Sequence, residues 1–246
     1  MKQTVDRKDG TAPRIDAAAE AQHQTQLADI VNPRYLQNRT TKFQGFIWDV
    51  VRDDFSLTPD GPAMGRDYIT HPGAVAIVVL NDKNQVLLIN QYRQPVGMNL
   101  WEIPAGMLDV EGESPLLAAQ RELAEETFLT ATTWHRLMEY HNSPGCSTEA
   151  NRVYLARGIS ELDAADRQER EGEEAEIVAR WFDLDEVVQA ILASRIHSPS
   201  TIMGVLAAHA ASLTGFSTLT DPEDPWPAHP YLRDPNTRGS ITDPAA

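Results

Sequence analysis

The sequence predicts a mixed α/β (α+β) domain, and three observations carry that prediction. AVAIVVL at 74–80 is a continuous apolar, β-branched run, the pattern of a strand buried on both faces. VLLINQYR at 86–93 follows across a short turn at 81–84 as a second strand, and the two are expected to pair at the centre of the sheet. Ser114-Pro115 then opens an amphipathic helix running to about Thr127, so strands and helices alternate along one chain. At 246 residues and 41% hydrophobic, the chain has room for one medium domain with a small addition. Its formal net charge of −15 argues against a nucleic-acid partner or an anionic membrane surface, because phosphate backbones are held by Lys and Arg.

Residues 1–40 are polar, rich in Ala, Gln and Asp, and broken at Asn32-Pro33, which predicts a mobile leader. From Thr41 the pattern changes. Phe43, Phe46, Trp48, Val50 and Val51 precede a Pro-Asp-Gly turn at 59–61, and Arg66, Tyr68 and Ile69 follow it, which predicts a small antiparallel β subdomain over 41–72. Too small to fold alone, it has to pack on the main domain or on a second subunit. His71-Pro72-Gly73 closes it. After the two apolar strands, Arg93 stands at a strand end before Pro95, where a salt bridge and a phosphate contact are both open readings. Trp48 and Trp101 are read as core aromatics in preference to base-stacking groups.

Ser114 is the N-cap of the helix, and Pro115 takes its first position, where a missing N–H costs nothing. Leu116, Ala119 and Leu123 form the buried stripe. Glu122 and Glu126, four apart, lie on a neighbouring stripe with Glu125 beside them, so three carboxylates are expected to face one small volume. Carboxylates this close hold protons unless a cation sits among them, and a hard divalent ion, Mg²⁺ or Mn²⁺, is the natural one. Arg121 can orient a carboxylate from the side. A solvated acidic face is the alternative for this helix taken alone.

Downstream, 134–140 and 152–157 read as strands around a turn-rich loop at 143–149, in which Glu149 is read as a capping acid. Cys146, the only cysteine, has no His partner at motif spacing and is read as a small loop or core residue; no intramolecular disulfide can form. Residues 160–176 are polar and acidic, a solvated loop by composition. A strand over 177–182, a helix over 184–193 opened by Asp183 or Asp185, and a helix over 199–213 follow. Ile202, Val205, Leu206 and His209 give the last helix its expected buried face, and His197 and His209 carry no ligand spacing. From 214 to 246 the prolines predict an extended tail, with Trp226 and Tyr231 as anchors to a groove. The N-terminus shows no apolar signal region, so the cytoplasm is the expected location.

The stretch 106–129, GMLDVEGESPLLAAQRELAEETFL, resembles the Nudix box of the Nudix hydrolases. Gly106, Glu113, Arg121, Glu122, Leu123, Glu125, Glu126 and Leu129 match its pattern. Two positions depart from it: six residues rather than five separate Gly106 from Glu113, and Phe128 stands where the pattern has Gly. The first is a cheap loop insertion. The second predicts an altered helix exit, since Gly past a helix end often turns left-handed where a bulky residue resists. QYR at 91–93 and WEIPAG at 101–106 are similar to the ADP-ribose pyrophosphatase branch, and the inserted turn to its actinobacterial members. The resemblance spans roughly 41–212 and is densest over 74–129.

That resemblance implies an α/β/α sandwich with a mixed central sheet over 73–213, and a 41–72 segment exchanged between the subunits of a homodimer. It implies Mg²⁺-dependent hydrolysis of ADP-ribose to AMP and ribose 5-phosphate, with Mn²⁺ as a second acceptable ion. The implied metal ligands are Glu122, Glu125, Glu126 and the carbonyl of Ala105. Arg121 and Glu125 are implied in catalysis, and Arg93, Glu102, Ser143 and Gly145 in binding substrate. A loop glutamate positions or deprotonates the attacking water; Glu173 and Glu174 match best, with Glu171 and Glu176 also open. A pyrophosphatase for another nucleoside diphosphate sugar, such as GDP-mannose, is the nearest alternative. A non-catalytic module sensing ADP-ribose is the more distant one, opposed by the intact carboxylates and by the lack of a basic DNA-reading segment.

Overall fold

The computed structural model describes residues 27–167, 170 and 172–233. Contacts divide the chain into two units, Met1–Pro33 and Arg34–Ala246. Residues 27–33 of the first are exposed and take neither helix nor strand; the rest of the expected leader's first 26 residues, and the tail beyond 233, lie outside the described residues.

In the second unit, β1 (Tyr35–Gln44), β2 (Asp49–Ser56) and β3 (Met64–Ile69) form a three-stranded antiparallel sheet in that order. The strand begins at Tyr35, inside the stretch whose composition predicted a leader. Every residue of β1 is exposed, so it carries no apolar alternation to betray it. Its ladder to β2 holds it, braced by Arg39, which donates to Asp53 Oδ1 and to the Tyr68 hydroxyl at 2.7 Å each. Trp48 is not a core residue: it stands in the β1–β2 connection and is 41% exposed, because a turn at a sheet end has no second layer over it.

The pairing expected between the next two strands does not form. β4 (Ala74–Val79) lies between β7 (Ala105–Met107), antiparallel, and β9 (Ala150–Glu161), parallel, with β8 (Leu129–His141) beyond β9 in a mixed four-stranded sheet. With both edges of β4 taken, β5 (Gln85–Arg93) leaves after a single bridge from Leu80 to Val86. It pairs instead with β10 (Val178–Asp183) and β6 (Met98–Glu102) in a separate antiparallel sheet.

Helices cover both faces of β4. Val75, Ile77 and Val79 pack with Ala118, Ala119 and Leu123 of α1 (Pro115–Thr127). Ala76 and Val78 pack with Val187 and Ile191 of α2 (Leu184–Leu192) and with Val205 and Ala208 of α3 (Pro199–Ser212). This is the α/β/α sandwich, and its helices fall within a residue of their predicted bounds. The fully buried face of α3 is shifted, however: it is Thr201, Gly204, Val205, Ala208 and Ala211, so of the residues expected there Val205 is buried and Ile202 and Leu206 pack at the core's margin. Gly204 decides the rotation, because a Cβ there would press on Val78, Ile103 and Val153, so its absence brings the helix down onto the sheet. Trp101, as read, packs inside, edge-on to Phe182 at 5.1 Å.

The segment after α3 forms no helix or strand through 233, yet it is not simply extended: it straps back across the domain. Trp226 is 5% and His229 1% exposed. Arg152, itself buried, donates to the carbonyls of Asp224 at 2.9 Å and Pro225 at 3.2 Å, and its guanidinium lies 4.7 Å from the Trp226 ring centroid. His229 Nε2–H donates to the Pro72 carbonyl at 3.0 Å, while its Nδ1 accepts from the backbone of Tyr231 and Leu232. Proline forbids a ladder but does not forbid burial of an aromatic beside it. No helix among the described residues is long and apolar enough to cross a membrane.

Candidate active site

The β4–β7 ladder aligns Val75 with Gly106 and Ala76 with Ala105, and the chain then turns into α1, which runs back over this strand. Ser114 caps the helix as predicted, its hydroxyl accepting from the Leu117 N–H at 3.3 Å. In the last turn, Glu126 is only 4% exposed, and its Oε2 accepts from the Ala105 N–H at 2.9 Å. A Cβ at Gly106 would fall on the carboxyl group of Glu122. Glycine is needed there for space: its φ is not left-handed, but only a hydrogen can lie beneath that carboxylate.

Arg121 gathers the remaining acids. Its Nε and Nη2 donate to the two oxygens of Glu113 at 3.0 Å each, and its Nη1 donates to Glu122 at 2.7 Å and Glu125 at 3.0 Å. These carboxylates, Glu113 foremost, hold the guanidinium well above its ordinary range. Two of the three carboxylates expected to face one volume, Glu122 and Glu125, meet on one atom, Arg121 Nη1. Glu122 and Glu125 turn to Arg121 and Glu126 to a backbone amide, and among the described residues no three acidic, His or Cys side chains come together closely enough to hold a metal. The donor chemistry nevertheless suits a hard divalent cation, since every group is an oxygen and all sit on two elements locked together. Arg121 meets the charge that such an ion would otherwise meet.

Phe128 ends α1 with φ 57° and ψ 32°, and its N–H donates to Ala124 O at 3.0 Å. The helix exit is thus the ordinary left-handed one, and the predicted alteration does not occur; the phenylalanine adopts the glycine conformation at its own expense.

Arg93 and Glu102 meet on the β5–β6 pair, Nε and Nη2 donating to Glu102 Oε2 at 3.0 and 2.7 Å. The salt-bridge reading of Arg93 is therefore realised, and its side chain remains 41% exposed. Gln91, two residues earlier on the same strand face, escaped the sequence reading: its Oε1 is buried with no hydrogen-bond partner among the described residues. A short 3-10 turn, Gly172–Glu176, lies against β5 and carries Glu173 and Glu174, whose side chains, like all of Glu171, lie outside the described residues; Glu176 is exposed.

Ser143 and Gly145 belong to an exposed loop whose bonds lead to the end of β3: the Ile69 N–H donates to Cys146 O at 2.8 Å, and the His71 N–H to Thr148 Oγ1 at 2.8 Å. Glu149 braces that loop, accepting from the side-chain amides of Asn142 at 3.0 Å and Asn151 at 3.2 Å. Cys146 is a free, exposed loop residue.

A family model described as the NUDIX domain matches residues 70–201. The chain is 40% identical to an ADP-ribose pyrophosphatase of Mycobacterium tuberculosis over 186 residues, 76% of this chain and 87% of the relative. The chain belongs to the Nudix family. Another relative, 34% identical over 66% of this chain and 85% of its own length, is a methanol dehydrogenase activator of Bacillus methanolicus. A solved structure described as an ADP compounds hydrolase superposes with a TM-score of 0.60 at 18% identity, covering 77% of this chain and 99% of that one. The likeness of that structure is one of fold, and it fits the Nudix sandwich seen here. The segment 106–129 that resembles the Nudix box lies within the matched residues.

Proposed function

We propose that this Nudix hydrolase cleaves the pyrophosphate bond of ADP-ribose, giving AMP and ribose 5-phosphate, with Mg²⁺ as its ion and Mn²⁺ as a substitute. The observation that carries the reading is the closure of the box on its own turn, Glu126 on the Ala105 amide and Glu122 over Gly106. The substrate is taken from the 40% identity to the mycobacterial ADP-ribose pyrophosphatase.

Glu122, Glu125, Glu126 and the Ala105 carbonyl would hold the ion, which when bound polarises phosphoryl oxygens and makes a water more acidic. Arg93 binds the diphosphate with its planar fork, exchanging Glu102 for phosphate oxygens. Glu173 or Glu174 takes the proton of the attacking water, and the phosphate leaves on its own oxygen. Arg121 keeps the acids of α1 in register between turnovers. Ser143 and Gly145 bound the substrate side from the loop beneath β3. The β sheet of residues 41–72 forms a homodimer through Phe43, Phe46, Ile47 and Trp48, all of them exposed in the single chain. With one cysteine and no need for an oxidising compartment, the cytoplasm suits the enzyme.

The test is product analysis with ADP-ribose, GDP-mannose and a nucleoside triphosphate, with and without Mg²⁺. Glu126→Gln is expected to lower Mg²⁺-dependent turnover of ADP-ribose by about 10²-fold or more. Unchanged turnover in that variant would sink the assignment of the box, and faster cleavage of GDP-mannose would move the substrate. Tight binding of ADP-ribose without cleavage would make the chain a sensing module instead.

A further inference from the structure

The ring of Phe128 has a use that the helix cap does not explain. Glycine would cap α1 with the same Phe128 N–H to Ala124 bond and without the strain that a left-handed φ of 57° imposes on a phenylalanine. The side chain points at the acidic loop that follows β9. The Arg170 guanidinium carbon lies 4.3 Å from its ring centroid and that of Arg167 5.5 Å, so two cations of one loop share one aromatic ring. The main chain of Phe128 grips the start of that loop, its carbonyl accepting from the Leu162 N–H at 2.9 Å. Arg167 in turn donates to Leu162 O at 3.0 Å and to Glu161 at 3.1 Å. Arg170 donates to Ile177 O at 3.1 Å, and Ile177 is buried at the entrance to β10.

We propose that Phe128 is a positioning residue: by stacking on Arg170 it fixes the Gly172–Glu176 turn to the same helix that carries Glu122, Glu125 and Glu126. The Arg170-to-Ile177 bond closes the short segment that contains the turn, and the Phe128 ring holds the closing residue. The two halves of the site lie far apart in sequence and pack against strands of different sheets, α1 on β4 and the turn on β5. A link from the end of α1 to the turn gives them one frame. The catalytic part of the inference rests on the reading that a glutamate of this turn handles the attacking water; the clamp itself does not.

Phe128→Gly removes the ring and relaxes the backbone, so the fold and the cap are retained and the midpoint of thermal unfolding is expected to hold or rise. With ADP-ribose, kcat is expected to fall by about tenfold, a part of what a positioned proton acceptor contributes, while KM and the Mg²⁺ half-saturation stay within about twofold. Hydrogen exchange of the amides from 172 to 177 is expected to quicken. Phe128→Tyr keeps an aromatic face for Arg170 and is expected to restore both slow exchange and most of kcat. Arg170→Gln added to Phe128→Gly is expected to cost nothing further in kcat. Unchanged exchange in Phe128→Gly overturns the clamp whatever the substrate proves to be. Faster exchange with an unchanged kcat overturns the positioning role. A wild-type protein inactive on ADP-ribose overturns only the substrate reading, and the exchange measurement still decides the clamp.

Discussion

Glu122 rests against the α-carbon of Gly106, and that contact sets the tolerance of the whole box. Gly106→Ala has to push the carboxylate aside, because the new methyl falls on its carboxyl group. We expect Mg²⁺-dependent kcat to fall by about 10²-fold, as displaced catalytic groups commonly cost, with little change in thermal stability; steady-state kinetics beside a melting curve checks both. A variant as active as wild type would show that Glu122 is dispensable. The residues of the box were legible in the sequence because helical spacing alone brings Glu122, Glu125 and Glu126 to one side. Their actual partners were not. Spacing cannot tell that one arginine will serve Glu113, Glu122 and Glu125 together, nor that Phe128 will accept a glycine's dihedral angles. Gln91 gave no signal at all, since an unsatisfied amide is a property of its surroundings.

The strap over 213–233 shows the same limit for an element. Its prolines rightly exclude strand and helix, and say nothing of Trp226 and His229 being buried. Burial lowers the His229 pKa to about 4 from 6.5, against the opposing hydrogen bond to Pro72, and burial lowers that of His71 as well. The unfolded chain therefore binds protons that the folded one refuses. The contribution of His229 is full above pH 6.5 and declines as the pH falls from there toward about 4, by up to about 3 kcal/mol. Urea unfolding of wild type and His229→Gln at pH 7 and 4.5 checks it: the gap between the two proteins should narrow at the lower pH. A constant gap would show that His229 titrates normally. Helices were read closely because Ser114-Pro115 and Asp183 mark two of their starts, whereas the fully exposed β1 has no apolar pattern to read. The supposed β4–β5 hairpin went wrong for another reason: neighbours in sequence need not be neighbours in a sheet when β7 and β9 already hold both edges.

At the scale of the whole molecule, Phe43, Phe46, Ile47 and Trp48 leave one end of the N-terminal sheet apolar and uncovered. Sedimentation is expected to show twice the 27.3 kDa of the single chain, and a species of single-chain mass at micromolar concentration would remove the dimer from the proposal. The mixed α/β class followed from the apolar runs and amphipathic stripes and the α/β/α sandwich from the resemblance to the family, while the division into two sheets followed from neither. The parallel pairing of β4 with β9 has a consequence of its own for how the protein is made. Ala74 aligns with Asn151, so the ladder closes a loop containing β7 and all of α1. Contacts of such long sequence separation form late and slowly, since the entropy of closure has to be overcome first. During synthesis the box cannot be pressed against a finished sheet until β9 has left the ribosome, so no shorter nascent chain carries a working site.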